Sequence, residues 1–272
     1  MANLRSLTDA ESKRPYAKYY TRPMTPPAPG VYDAIVHPAD PGLALLPGQI
    51  NKLLEPGACK LERGWCQLPD GSGYVVGYAD MPGVTIEMLD WWFAWHSLES
   101  LRYMIWDPED HFEAKVKPSS MARKLDRNLS WRERNWDTTD IIVEDIGLGV
   151  ATLEFDFLSP EAIGYNIKKF NDGGFTAINA NGGPPGHERI ICCTQNARPT
   201  KAGIELRSCF WLGWIFENGQ PKRVENGIPP TQIAEFGKAA AKHSAKEYHN
   251  LAAILPSVYA ENYNIIDKIE DF

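Results

Sequence analysis

The sequence has no run of the roughly eighteen apolar residues that a membrane-spanning helix needs. Nor does it have the Lys/Arg cluster that binds anionic lipid. Basic residues are in deficit, with 28 Lys and Arg against 35 Asp and Glu and a net charge of −7. Phosphate backbones are held by clustered Lys and Arg, so nucleic acid is excluded as a partner, and a membrane with it. Cysteine is sparse and unpaired. Cys59, Cys66, Cys192, Cys193 and Cys209 make an odd total with no C-x-x-C spacing, which reads as buried, reduced thiols. Cys192 and Cys193 are adjacent, so in a strand they point to opposite faces. The opening MANLRSLTDAESKRPYAKYY lacks a secretory apolar stretch, and the expected location is the cytoplasm. Histidine is scarce as well. With six in the chain, any metal site must draw on a short set.

What is present describes a globular protein. The 272 residues are 43% apolar and 23% charged, enough to bury a sizeable core in one large domain or two small ones. Nine Trp imply either aromatic surface around a pocket or subunit interface, or a large aromatic core.

Residues 1–70 read as a Pro-rich arm and irregular segment. TRPMTPPAPGVYDAIVHPADPG carries six prolines, each fixing φ and removing a donor. Such an arm wraps its own domain or a partner subunit. Residues 71–272 read as the catalytic domain. GSGYVVGYADMPG predicts a strand and turn. Thr85 then caps a helix with one broad apolar face, running to about Leu101. Pro108 interrupts the chain after it. TTDIIVEDIG, ATLEFDFLS, GFTAINANG, HERIICCTQN and IELRSCFWLGWIF predict strands of an antiparallel meander. A long Ala-, Lys- and Glu-rich helix follows, with Pro229 and Pro230 at its start and Pro256 expected to end it near Leu255. This order predicts an α+β fold, a curved antiparallel sheet gripping the long helix, with its natural cavity between the two.

That helix contains His243-Ser-Ala-Lys-Glu247. Residues four apart share a helix face, so both side chains can converge on one point, and imidazole and carboxylate are zinc ligands. Many solvated pairs share this spacing, so the pair needs company. His249 is turned to another face. His96 lies on an apolar helix face, a satisfied core histidine. His111 follows Trp106-Asp107-Pro108-Glu109-Asp110 in a break between elements, where binding residues often sit. Glu144 shares a strand face with Ile142 and Ile146. If that face is buried, its carboxylate needs a partner, and a metal would be one.

Tyr103-x-x-Trp106-x-Pro108-x-Asp110-His111, then Val143-Glu144-Asp145, then His243-x-x-x-Glu247 resembles the acylphloroglucinol carbon–carbon hydrolases, which act on phloretin or 2,4-diacetylphloroglucinol. The resemblance implies a helix-grip, START-like fold akin to the birch-pollen allergens. It implies a zinc ion held by His111, Glu144, His243 and Glu247, and a homodimer. It places Tyr103 beside the substrate and His187 near the active site as a proton-transfer residue. It sets Phe210 and Trp211 near a substrate contact where the family can have Tyr. The implied substrate is a small polyphenol, phloretin first and diacetylphloroglucinol second. A noncatalytic carrier of aromatic ligands would use the same cavity.

Overall fold

A computed structural model describes residues 4–225 and 227–265. Its centre is an eight-stranded antiparallel sheet: β1 (Gly64–Gln67), β2 (Gly73–Pro82), β3 (His111–Val116), β4 (Thr139–Glu144), β5 (Ala151–Leu158), β6 (Thr176–Gly183), β7 (Ile191–Pro199) and β8 (Gly203–Leu212). The spatial order is β1-β2-β8-β7-β6-β5-β4-β3. The expected meander therefore runs from β3 to β8, and β2 closes on β8 through ten paired positions. A small hairpin, β9 (Trp214–Glu217) with β10 (Gln220–Arg223), follows. The helices that matter here are α1 (Ile86–Trp95), α2 (Ser100–Met104) and α3 (Pro230–Asn262).

Three expectations change. The sheet starts at Gly64, inside the segment read as irregular, because β1 pairs with β2 across a short turn. The first helix does not run unbroken to Leu101. Thr85 caps it as expected, accepting from the Met88 amide at 3.2 Å, but the chain turns tighter at His96–Leu98 and is extended at Glu99 (φ −154°, ψ 135°). The cause is tertiary: the Glu99 carboxylate is held by Tyr16 and by Arg14, the latter at 2.9 Å, both from the N-terminal arm. Helix α3, finally, passes through Pro256 to Asn262. A helix-interior proline removes a hydrogen bond and crowds the preceding turn. Leu255 and Val258, both 0% exposed, bury apolar surface on either side and hold the chain helical.

Both sheet faces are covered. On one lie α3, α1 and the arm residues Tyr16, Tyr19 and Tyr20, with Trp91, Trp92 and Trp95 fully buried. The tryptophans thus belong mostly to the core. Helix α3 sits close to the sheet: a Cβ at Gly77 would lie 2.8 Å from Ser244 Oγ, and one at Gly237 3.1 Å from the Trp65 ring. On the other face a second apolar core includes Tyr74, Trp211, Cys192 and Cys209. Cys193 is in the first core, so the adjacent cysteines do face opposite ways, and all five thiols are free. No helix among the described residues is long and apolar enough to cross a membrane.

Candidate metal centre

Two structural accidents of sequence become one point in space. His111 opens β3 and Glu144 closes β4, and the antiparallel register pairs these two residues directly. A register shift between His111 and Glu113, of the kind a bulge makes, re-aims the side chain at the strand end. His243 and Glu247 present the same face of α3 one turn apart. Trp106 then ties helix to loop: its indole Nε1 donates to the Glu247 carbonyl (3.1 Å), and Asn250 Nδ2 donates back to the Trp106 carbonyl (2.8 Å).

His111, Glu144 and His243 offer atoms close enough to share one ion, and Glu247 stands beside both histidines. His111 Nε2 lies 3.3 Å from His243 Nε2, and each is 3.7 Å from Glu247 Oε2. Glu144 Oε2 is 3.9 Å from His111 Nε2 and 4.0 Å from His243 Nε2. Four ligands at about 2.0–2.1 Å around a tetrahedral ion stand about 3.3–3.4 Å apart. His111, His243 and Glu247 are all buried.

The protonation pattern makes the fit sharper. His111 Nδ1 is 3.2 Å from the Tyr103 carbonyl, which can only accept, so the ring proton sits on Nδ1 and Nε2 keeps its lone pair. His243 Nδ1 is 2.9 Å from Asp110 Oδ2, which does the same for the second imidazole. Two bare lone pairs and two carboxylates therefore converge. They repel one another, and positive charge among them relieves that repulsion. Burial opposes charging His243, but Glu247, the Asp110 hydrogen bond and Glu144 outweigh it and push its pKa up to about 10. Burial, then the His243 charge, holds His111 well below its usual value. Burial raises Glu247 well above the carboxylate range, against the pull of His243. A divalent ion satisfies all four donors at once, so the residues present fit one.

A second layer orients the ligands, as metal-bound histidines usually require. Asp110 and Asp107 flank Lys246, which reaches Asp110 Oδ1 at 2.7 Å and Asp107 Oδ1 at 3.2 Å. Tyr103 stacks on the His111 ring (3.8 Å between centroids, 5° between planes), and its hydroxyl donates to Glu144 Oε2 at 2.6 Å. Burial, then the Glu144 charge, keeps the phenol protonated far above its ordinary range. Sequence reasoning quoted Asp110 in a motif without giving it this task, and missed Asp107 and Lys246. Their signal was the acidic cluster around Pro108 and a lysine three residues after His243.

The cluster sits where two chambers meet. An outer one of about 580 Å³ opens between α3 and the β4–β5 hairpin, and an inner one of about 110 Å³ lies under α1 and α2. Glu144, His243, Glu247, Phe155 and Phe210 line both. Tyr103 lines the inner chamber, and Phe210 borders both. Trp211 does not. Strand alternation turns it to the opposite face, where it is 0% exposed and its indole donates to the Leu45 carbonyl at 2.7 Å. His187 is exposed in the turn after β6, its amide bonded to the Pro184 carbonyl, and it is not among the residues lining either chamber. The structure brings Pro184 to the cavity mouth and leaves His187 in solvent. His96 is the buried core histidine expected, and His249 is half-buried and bonded to the Ala245 carbonyl, away from the cluster.

The chain is similar to known proteins over most of its length. The chain is 34% identical over 269 residues to phloretin hydrolase of Eubacterium ramulus, covering 93% of this chain and 92% of that one. It is 29% identical over 267 residues to 2,4-diacetylphloroglucinol hydrolase of a Pseudomonas species, covering 93% and 90%. The corresponding hydrolase of Pseudomonas protegens is similar at the same identity, with 86% of its length covered. Both enzymes named are carbon–carbon bond hydrolases, and the family model "DAPG hydrolase PhiG domain" matches residues 45–260. The chain, with its paired His–Glu cluster at the floor of a sheet–helix cavity, belongs to that family of hydrolases.

Proposed function

We propose that this protein is a zinc-dependent hydrolase of helix-grip architecture that cleaves the bond between an acyl carbonyl and a phloroglucinol ring. Phloretin is the leading substrate, giving phloroglucinol and 3-(4-hydroxyphenyl)propanoate, and 2,4-diacetylphloroglucinol is the second. The higher identity to the phloretin enzyme orders them. The observation that carries the reading is that Glu144 and Glu247 each stand 3.7–4.0 Å from the two facing imidazoles of His111 and His243, at the junction of two chambers.

In the overall reaction water's hydroxyl joins the acyl carbon, its proton joins the ring carbon, and the carbon–carbon bond breaks. An aryl carbanion leaves poorly, but a polyhydroxylated ring can take a proton on carbon as its keto tautomer, and an enolate then departs. When bound, zinc supplies Lewis acidity to the substrate oxygens at that point. The chain's own residues supply the rest. His111, Glu144, His243 and Glu247 would hold the ion. Tyr103, whose single O–H is donated to Glu144, presents its phenol oxygen in the inner chamber as an acceptor that would orient a ring hydroxyl. Phe155 and Phe210 give the ring apolar walls on either side of the cluster and exclude water from it.

The test is to incubate the zinc-loaded protein with each substrate before and after chelation. Phloroglucinol-type products that vanish with the metal and return on its restoration are expected. Absence of product from both substrates in the loaded protein would overturn the reading. Stoichiometric ligand binding without turnover would indicate a carrier instead.

A further inference from the structure

The two chambers differ in kind, and the difference bears on which substrates this chain takes. The outer chamber is walled by aliphatic side chains, among them Leu148, Val150, Leu153, Ile190, Leu212 and Ile228. Away from the cluster its polar members are Gln232 and Glu235, on the exposed rim of α3, and Ser244, whose buried Oγ faces Gly77 of the sheet. The inner chamber is aromatic and carries hydrogen-bond acceptors. His96 Nδ1 is 2.9 Å from the Trp92 carbonyl, so its proton is there and Nε2 is left as an acceptor. Gln195, 6% exposed, lines the same chamber, and its Oε1 has no hydrogen-bond partner among the described residues. A buried acceptor without a partner, Gln195 Oε1, calls for a donor, and phenolic hydroxyls are donors.

A second, independent feature lies at the mouth. Leu148 is 52% and Val150 66% exposed, in a hairpin that folding alone gives no reason to make apolar. Asp145 Oδ1 fixes its shape, accepting from the Gly147 and Gly149 amides at 2.8 and 2.9 Å, and both glycines are left-handed (φ 98°). Exposed aliphatic residues at the rim of a cavity mark a surface meant to be covered by ligand.

We infer that the hydroxylated ring lies in the inner chamber against His96 and Gln195, and that the acyl chain runs outward along the aliphatic chamber to Leu148 and Val150. The substrate class thus extends to phloroglucinols bearing long unbranched aliphatic acyl chains, not only acetyl or arylpropanoyl. The opposite placement, ring outside and acyl inside, would confine the enzyme to short acyl groups, because the inner chamber is about a fifth of the outer one in volume. This inference rests on the acylphloroglucinol reading above.

The experiment uses the zinc-loaded protein and a series of 2-acylphloroglucinols from acetyl to decanoyl. The expected result is a kcat/KM that climbs with chain length, by up to about fourfold per added methylene until the chamber is full. Replacing Leu148 and Val150 together by Ser, at exposed positions where the fold is little affected, should lower the octanoyl-to-acetyl ratio. Gln195→Leu should lower kcat/KM for every chain length by a similar factor and leave the slope intact. A flat or falling series overturns the placement even if acetylphloroglucinol is cleaved. If no member is cleaved, the proposed reaction fails separately. Calorimetric titration with non-cleavable 2-alkylphloroglucinols then decides the placement: tighter binding with length supports it, and no dependence on length overturns it.

Discussion

The two faces of the sheet are both built of large apolar side chains, yet one is closed and the other is hollow. Neighbouring residues of β8 show the difference. Trp211 packs into the closed face beside Tyr74 and Phe216, with its one polar atom satisfied by a backbone carbonyl. Phe210, one residue earlier, faces the helix side and borders both chambers. On the closed face even the polar groups pair among themselves, as Tyr165 does with Thr194 at 3.1 Å. On the hollow face the imidazoles of His111 and His243 and the carboxylates of Glu144 and Glu247 converge at the border of the chambers. Both faces bury a large apolar core, and the helix side also leaves room for the two chambers.

The sharpest break in this comparison is a ligand deletion. His243→Ala or Glu247→Ala should abolish stoichiometric zinc and lower turnover by on the order of a thousandfold or more, with circular dichroism unchanged. Elemental analysis and product assay read both. Next in size, Trp211→Ala should destabilise the fold by about 3–5 kcal/mol in denaturant titration while leaving KM near its original value. A large change in KM would mean that the closed face is not closed. Asp110→Asn keeps the shape but weakens the acceptor that sets the His243 tautomer, and should cost about 10–100-fold in zinc affinity, measured by competition with a chelator. Phe210→Ala removes a cavity wall and should raise KM about tenfold, from the ~1.5 kcal/mol or more of lost apolar contact, with a smaller loss of stability than Trp211→Ala.

Per unit of the variable changed, the most gradual effect is one of pH. Burial, reinforced by the Lys124 charge, lowers the His96 pKa to about 3. The folded protein therefore refuses a proton that the unfolded chain accepts below about 6.5. The stability from this group is complete above that value. It falls by up to ~1.4 kcal/mol per pH unit as pH drops toward 3. His96→Gln should make the acid limb of the stability profile shallower by that slope. An unchanged limb would place the acid sensitivity in other groups.

Much of this organisation was legible in the residues themselves. Alternation marked β4 to β8, and the i,i+4 spacing marked His243 and Glu247, because both signals are local periodicities. The strand at His111–Val116 was not read, since Pro108 and the acidic run masked its short start. Trp211 was misplaced because a contact position quoted as Phe210-Trp211 spans two residues that alternation sends to opposite faces. His187 was chemically suited to proton transfer, but its exposure depends on where a Gly-Pro turn points.

By itself the sequence determined the elements, the ligand types and the helix face on which two of the ligands stand. These follow from φ/ψ preference and side-chain period, which act over a few residues. Only the tertiary structure decided that His111 and Glu144 are paired partners across two strands. It alone carried α3 through Pro256 and set the chambers' division at the cluster. Those outcomes depend on register, burial and close approach between segments far apart in the chain, and no local preference encodes them.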